Sequence, residues 1–231
     1  MNFKRFNEIN FENINFDYHI HSNFTDGENS IEEIFDYCLE NQIKNIGISD
    51  HIRSTSTYFN EYISKIKNIR KQNNLNCLIG CESKIIKNNI IDISLKDLNN
   101  AEYIISSVHR IYFEDYFMNP KDLDYLDCLK QEFKMLIDYK EPIHKNNFIG
   151  HPFGMTLKHH KDIDLNYFEE FVKLFSKRKI CIEFSYPYHK NFEKEFFDIF
   201  KKYNPFLIIN SDAHRLNQIC SWRKSKFLNS L

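Results

Sequence analysis

Ten histidines occur in the 231 residues, and six of them sit at the ends of short apolar runs. The segments are Asp17-Tyr-His19-Ile-His21, Ser49-Asp50-His51, Ser107-Val-His109, Gly150-His151-Pro152 and Ser211-Asp212-Ala-His214. Two further runs end in Gly80-Cys-Glu82 and Ile182-Glu183, and Thr25-Asp26-Gly27 follows the first. In an extended chain, residues i and i+2 point to the same side, so His19 and His21 can grip one cation, as can Asp212 and His214. Imidazole and carboxylate without thiolate suit Zn, Mn or Fe. The candidate ligands His19, His21, Asp26, His51, Glu82, His109, His151, Asp212 and His214 are too many for one tetrahedral ion. Two or three divalent ions sharing a bridging carboxylate fit better. A single His-x-His pair arises by chance on many surface strands; a His, Asp or Glu at every run end does not.

Arg53, Arg110 and Arg215 each follow a candidate ligand within two residues. A guanidinium holds phosphate oxygens bidentately, so these three are candidate substrate contacts, with surface ion pairing as the plainer alternative. His189, in Ser185-Tyr-Pro-Tyr-His189, lies just past the sixth run and is a fourth candidate for facing substrate. His159-His160 read as part of a polar loop, and His144 as a loop residue before a Lys-Asn stretch.

The elements that must carry these residues alternate. Apolar runs of strand length cover 16–20, 45–49, 77–81, 103–108, 148–150, 180–184 and 206–209. Helical spacing follows the capping box Ser30-x-x-Glu33 and recurs over about 57–72, 122–140, 164–178 and 191–203. Strand–helix alternation favours parallel strands with right-handed crossovers. Seven units of about 33 residues match the size of a βα unit. A closed or nearly closed α/β barrel is the first expectation, as a single domain over 1–231, and a doubly wound sheet the second. No Gly-rich phosphate loop follows the first strand, which weighs against a dinucleotide-binding fold. In a parallel barrel every carboxyl end opens on one face, so ligands scattered in sequence converge.

Composition excludes several classes. Lys+Arg and Asp+Glu number 31 and 32, so no bulk charge draws the chain to nucleic acid or an anionic membrane. No apolar run is long enough to span a bilayer, and the N-terminal stretch has no secretory pattern, so the expected compartment is the cytoplasm. The six cysteines include no C-x-x-C pair; four of them, Cys38, Cys77, Cys81 and Cys181, sit in apolar surroundings, and the thiols read as small core residues rather than as chemistry.

In order along the chain, these segments resemble the PHP (polymerase and histidinol phosphatase) family of metal-dependent phosphoesterases. The resemblance covers about Phe16 to His214 and implies a distorted, TIM-like (β/α)7 barrel with a trinuclear metal centre. It implies that His19, His21, Glu82 and Asp212 hold one ion, that Glu82 bridges to a second held by His109 and His151, and that Asp26, His51 and His214 hold a third. Glu183 matches an acidic position of the family, where a role behind the ligands is favoured; the Asn that often follows two residues later is Ser185 here. The expected chemistry is hydrolysis by a water bridging two ions about 3.5–4 Å apart. A water, His214 or Asp50 would then protonate the departing oxygen.

A small phosphorylated metabolite is the expected substrate, with histidinol phosphate the family's best-known small-molecule case. The aromatic stretch 110–117 can wall a pocket or pack under a helix. Alternatives are a nuclease of the same family, against which the balanced charge argues; an amidohydrolase, whose bridging lysine Glu82 replaces; and a non-catalytic metal-bound scaffold.

Overall fold

The computed structural model describes residues 3–73, 75–141, 146–225 and 228; His144 lies outside them. In chain order the elements are β1 (Lys4–Arg5), β2 (Phe16–Ile20), α1 (Ile31–Glu40), β3 (Asn45–Ile48), α2 (Phe59–Gln72), β4 (Asn76–Lys84), α3 (Leu95–Asn100), β5 (Tyr103–Ser107), β6 (Ile111–Phe113), β7 (Tyr116–Met118), α4 (Tyr125–Ile137), β8 (Asn147–Ile149), α5 (Gly154–His160), α6 (Leu165–Arg178), β9 (Cys181–Ser185), α7 (Tyr186–His189), α8 (Glu193–Tyr203) and β10 (Phe206–Asn210). Helices α1, α3, α4 and α6 begin where a side chain satisfies a free amide. Ser30 accepts from Glu33 N at 3.2 Å while Ser30 N donates to Glu33 at 2.7 Å, which starts α1. Asp124 accepts from Asp127 N at the start of α4, and Asp164 from Asn166 N at the start of α6. Each of these helices then buries one apolar stripe, such as Ile31, Ile34, Phe35 and Cys38 on α1.

The sheet runs β1-β10-β9-β8-β5-β4-β3-β2, and all its pairings are parallel except that of β1 with β10. Its seven parallel strands are the seven apolar runs, curled into a distorted (β/α)7 barrel with helices outside. Inside, Tyr103, Ile105, Phe148, Cys181 and Ile208 form a separate small core. Tyr103 fills the middle of it: a Cβ on Gly80 would lie 2.0 Å from the Tyr103 ring, and one on Gly47 would lie 2.2 Å from its hydroxyl oxygen. The glycines are there because the phenol is. That hydroxyl donates to the Tyr18 carbonyl at 2.7 Å, tying the interior to β2.

β2 and β10, the two ends of the parallel array, meet at their carboxyl ends. There Ile20 bridges Ala213, with His21 N donating to Ala213 O at 2.8 Å and Ala213 N to His19 O at 3.0 Å. Below that bridge side chains replace main chain. Tyr18 N donates to Asn210 Oδ1 at 2.9 Å, and the buried Asp17 accepts from Ser211 N, Ser211 Oγ and Cys220 N. Burial pushes the Asp17 carboxyl up to about 6 against these hydrogen bonds. At the amino-terminal end of this seam lies an apolar cavity of about 230 Å³ lined by Phe3, Ile9, Phe16 and Leu207 among others.

The 110–117 stretch divides: Arg110 lines the cavity at the ligands, Ile111, Tyr112 and Phe113 of β6 pack against the core beside α4, and β7 completes a hairpin whose Tyr116 projects into solvent. His159 and His160 belong to α5, not to a loop. All six cysteines are free and buried, Cys128 and Cys220 along with the four in apolar runs. Among the described residues, no helix is long and apolar enough to cross a membrane.

Candidate metal centre

The seven parallel strands deliver their ends to one side of the barrel, and the nine candidate ligands converge there. Glu82, at the end of β4 and buried, is the hub. Its Oε1 lies 3.0 Å from His151 Nε2, 3.2 Å from His109 Nε2 and 3.5 Å from His19 Nε2. Its Oε2 lies 3.0 Å from His51 Nδ1 and 3.6 Å from His21 Nε2. Asp212 Oδ1 stands 3.3 Å from His19 Nε2 and 3.1 Å from His21 Nε2. On the outer side, Asp26 Oδ2 lies 3.1 Å from His51 Nε2 and 3.3 Å from His214 Nε2, and Asp26 Oδ1 is 3.5 Å from His21 Nδ1. The donors form overlapping groups: His19, His21 and Glu82; His51, Glu82 and His109; and His21, Asp26, His51 and His214. His21 and His51 thus each face two groups, where the resemblance assigned each to one.

These spacings have a specific meaning. Two donor atoms each about 2.1 Å from a shared ion, at tetrahedral or octahedral angles, are about 3.0–3.4 Å apart. The buried His19 Nε2 and both ring nitrogens of His21 have no hydrogen-bond partner, although carboxylate oxygens stand 3.1–3.6 Å away. Bare imidazole nitrogens buried without a partner are costly. The set therefore fits divalent cations of the N,O-binding kind. Burial holds His21 and His109 below the usual imidazole range, which favours free lone pairs. Burial alone would raise Glu82 and Asp212, but the neighbouring imidazoles outweigh it and keep both carboxylates below their usual range.

Residues behind the ligands fix them. Glu183, on β9 and buried, accepts from His19 Nδ1 at 2.8 Å, from Asn210 Nδ2 at 2.8 Å and from His151 N at 2.7 Å. With Nδ1 donating to Glu183, His19 presents its Nε2 lone pair to the cluster. Glu183 is thus a positioning residue and not a catalytic one: all its contacts are to groups behind the cluster. Glu183→Gln keeps the shape but sets an amide N–H against a donor; it is expected to weaken metal binding about 10–100-fold, measured by competition with a chromogenic chelator.

Asp50 points away. Its oxygens accept from Ser22 N at 3.0 Å, Ser22 Oγ at 2.6 Å and Thr25 Oγ1 at 2.5 Å, and it lines neither cavity at the ligands. It pins the loop that presents Asp26, so it is not the proton donor expected from the sequence. His151 begins the turn His151-Pro-Phe-Gly154, where His151 and Phe153 have φ of 26° and 59°. The turn feeds α5, whose first amides Met155 N and Thr156 N donate to the buried Glu132 of α4 at 3.2 and 2.8 Å. Sequence reading missed Glu132, whose partners lie more than twenty positions away.

Among the arginines, Arg53 and Arg110 line a cavity of about 770 Å³ together with Asp26, His51, Glu82 and His109. Arg215 does not: its guanidinium is paired with Glu28 at 2.7 Å on the surface, so the plainer reading holds for it. His189 is also corrected. It is buried, its Nδ1 accepts from Ser185 N at 3.1 Å and its Nε2 donates to Pro152 O at 3.0 Å. Its neighbour Tyr188 is the residue of that loop that faces the ligands, lining a cavity with Asp212 and His214. Adjacent residues in a helical turn diverge by about 100°, which is the signal that could have separated them.

Burial pushes the His189 imidazole down to about 3. A depressed folded value means that its neutral form stabilises the fold fully above about 6.5 and that this is lost as pH falls towards 3. Between pH 7.5 and 5 the loss from this ring is about 2 kcal/mol. Urea unfolding at the two pH values is expected to show a smaller drop for His189→Gln than for wild type; an equal drop would contradict the assignment.

The family model for the PHP domain matches residues 17–187. The structure resembles that of the histidinol phosphatase candidate hisK from Listeria monocytogenes, with a TM-score of 0.69 and 16% identity over 89% of this chain and 97% of that one. It also resembles a chain in an archaeal ribonuclease P bound to mature tRNA, with a TM-score of 0.55 and 16% identity over 94% of this chain and 82% of that one. At this identity both likenesses concern the fold. No curated protein matches the sequence.

Proposed function

The chain belongs to the PHP domain family, and from that premise we propose that it is a metal-dependent phosphoesterase that hydrolyses a small phosphomonoester, in the manner of a histidinol phosphatase. The observation that carries this reading is the set of buried, unpartnered imidazole nitrogens gathered around Glu82 and Asp212. Two or three Zn, Mn or Fe ions bound there would supply Lewis-acid charge and lower the pKa of bound water. The protein's own part is to hold the donors in place through Glu183 and to bring the phosphate against them through Arg53 and Arg110. Those two guanidiniums line the same cavity as the ligands and can neutralise phosphoryl oxygens as charge develops. Of the two acids expected from the sequence, His214 reaches the cleft and Asp50 does not, which favours His214 or open-cleft water as proton source. Six free buried thiols agree with a cytoplasmic setting.

The test is phosphate release from a panel of phosphomonoesters, histidinol phosphate included, after loading with Mn or Zn. Chelator-sensitive turnover on one compound is the expected result. No release from any monoester by protein with metal bound would remove the reading.

A further inference from the structure

Among the described residues, five carboxylates are exposed by no more than 1%: Asp17, Asp50, Glu82, Glu132 and Glu183. Four of them have a place at the metal centre. Glu82 is its hub, Glu183 orients His19, Asp50 holds the loop of Asp26, and Asp17 ties down Ser211 next to Asp212. Glu132, on α4, stands apart from the ligands and has no ion-pair partner among the described residues. It accepts instead from three donors at the start of α5: Met155 N at 3.2 Å, Thr156 N at 2.8 Å and Thr156 Oγ1 at 2.7 Å. Burial pushes its carboxyl up to about 7, against the pull of these hydrogen bonds. A carboxylate buried without a cation is destabilising in itself, which raises the question of what its hydrogen bonds hold.

They hold the turn that presents His151. For His19 the aim is set at the ring, where Nδ1 meets Glu183. His151 has no such support: its Nδ1 is buried without a hydrogen-bond partner, while its Nε2 faces Glu82 Oε1 at 3.0 Å. A metal-ligating imidazole ordinarily has its second nitrogen held. The direction of this ring therefore rests on its main chain and its packing. That main chain is unfavourable alone, since His151 and Phe153 both have positive φ, which non-glycine residues keep only where their surroundings impose it.

Two buried carboxylates impose it from the two ends. Glu183 accepts from His151 N at 2.7 Å, and Glu132 takes the amides just past Gly154. Between them Gly154 N donates to His151 O at 2.7 Å, and the ring lies so close over Gly154 that a Cβ there would be 2.8 Å from Nδ1. The residue preceding α5 is Phe153, which offers no capping group, so the cap comes from another helix.

We propose that Glu132 is a positioning residue of the metal centre: by fixing the first amides of α5 it holds the His151 turn and aims the imidazole at Glu82. This rests on the metal-dependent reading of the site.

The experiment is a double-substitution cycle on Zn affinity, measured by competition with a chromogenic chelator in wild type, Glu132→Gln, His151→Ala and the double variant. Glutamine keeps the size of the side chain but turns an N–H towards an amide donor. Glu132→Gln is expected to weaken Zn binding about tenfold, and the double variant to bind no more weakly than His151→Ala alone. A carboxylate that only caps α5 would lower the urea midpoint of the metal-free protein and leave Zn affinity unchanged, or weaken it equally with and without His151. Either result overturns the proposal while His151→Ala still weakens binding. Wild-type affinity in His151→Ala removes His151 from the metal centre, and the proposal falls with the reading it rests on. If Glu132→Gln does not fold, Thr156→Val removes one of the three hydrogen bonds at nearly constant shape and carries the same cycle. A smaller weakening, confined to proteins that keep His151, is expected there, and its absence overturns the proposal.

Discussion

Glu82→Gln is expected to lower phosphate release about 10³-fold or more while leaving the barrel folded. The carboxylate faces five imidazoles, His19, His21, His51, His109 and His151, at 3.0–3.6 Å, and is the one group that all the inner donors share. Glutamine fills the same space but has no charge to hold two cations together. A 10³-fold loss corresponds to about 4 kcal/mol of transition-state stabilisation, within the several kcal/mol that metal-assisted charge neutralisation supplies. His19→Ala is expected to act in the same direction, since it empties the position Glu183 orients. Circular dichroism separates loss of function from loss of fold. Turnover within tenfold of wild type in a folded, metal-loaded Glu82→Gln protein would sink the assignment of this cluster as the catalytic centre.

Metal removal is expected to lower the melting temperature by about 8–16 °C. An ion present at a thousandfold its Kd stabilises by about 4 kcal/mol. A domain of 150–250 residues shifts by about 2–4 °C per kcal/mol. The physical source is visible in the cluster: without cations, buried nitrogens of His19 and His21 have no partner, and the fully buried Glu82 must keep its charge against desolvation. Thermal melts of chelator-treated protein, repeated after titration with Mn or Zn, measure this. A melting temperature indifferent to chelator and to added metal would show that the cluster holds no structural cation.

Much of this arrangement was legible because two signals are local. The strand ends follow from short apolar runs, and the ligands follow immediately behind them, so both lie within a few residues of one another along the chain. What was not legible depends on direction or on distance. Asp50 and His51 are adjacent at a strand end and therefore face opposite ways; the period of two placed His51 in the cleft and Asp50 against Ser22 and Thr25. Arg215 finds Glu28 and the first amides of α5 find Glu132 across long stretches of sequence, where no pattern announces them. The β6–β7 hairpin turns through Glu114 and Asp115 at φ of 44° and 70°, without the Asn-Gly or Gly that advertises such turns. The helix α5 starts after Phe153 in a left-handed conformation, with no capping side chain of its own, so His159 passed for a loop residue.

The seam between β2 and β10 sets an order of events. His19 and His21 leave the first parallel strand, and Asp212 and His214 follow the last, so one donor group is completed by residues nearly two hundred positions apart. On a ribosome, the early half of the site emerges long before its counterpart. The hydrogen bonds of Asp17 to Ser211 and Cys220, and of Tyr18 to Asn210, are what hold Asp212 beside the early imidazoles. The group of His21, Asp26, His51 and His214 is therefore complete only once the chain has passed β10, whereas His51, Glu82 and His109 all lie in its first half.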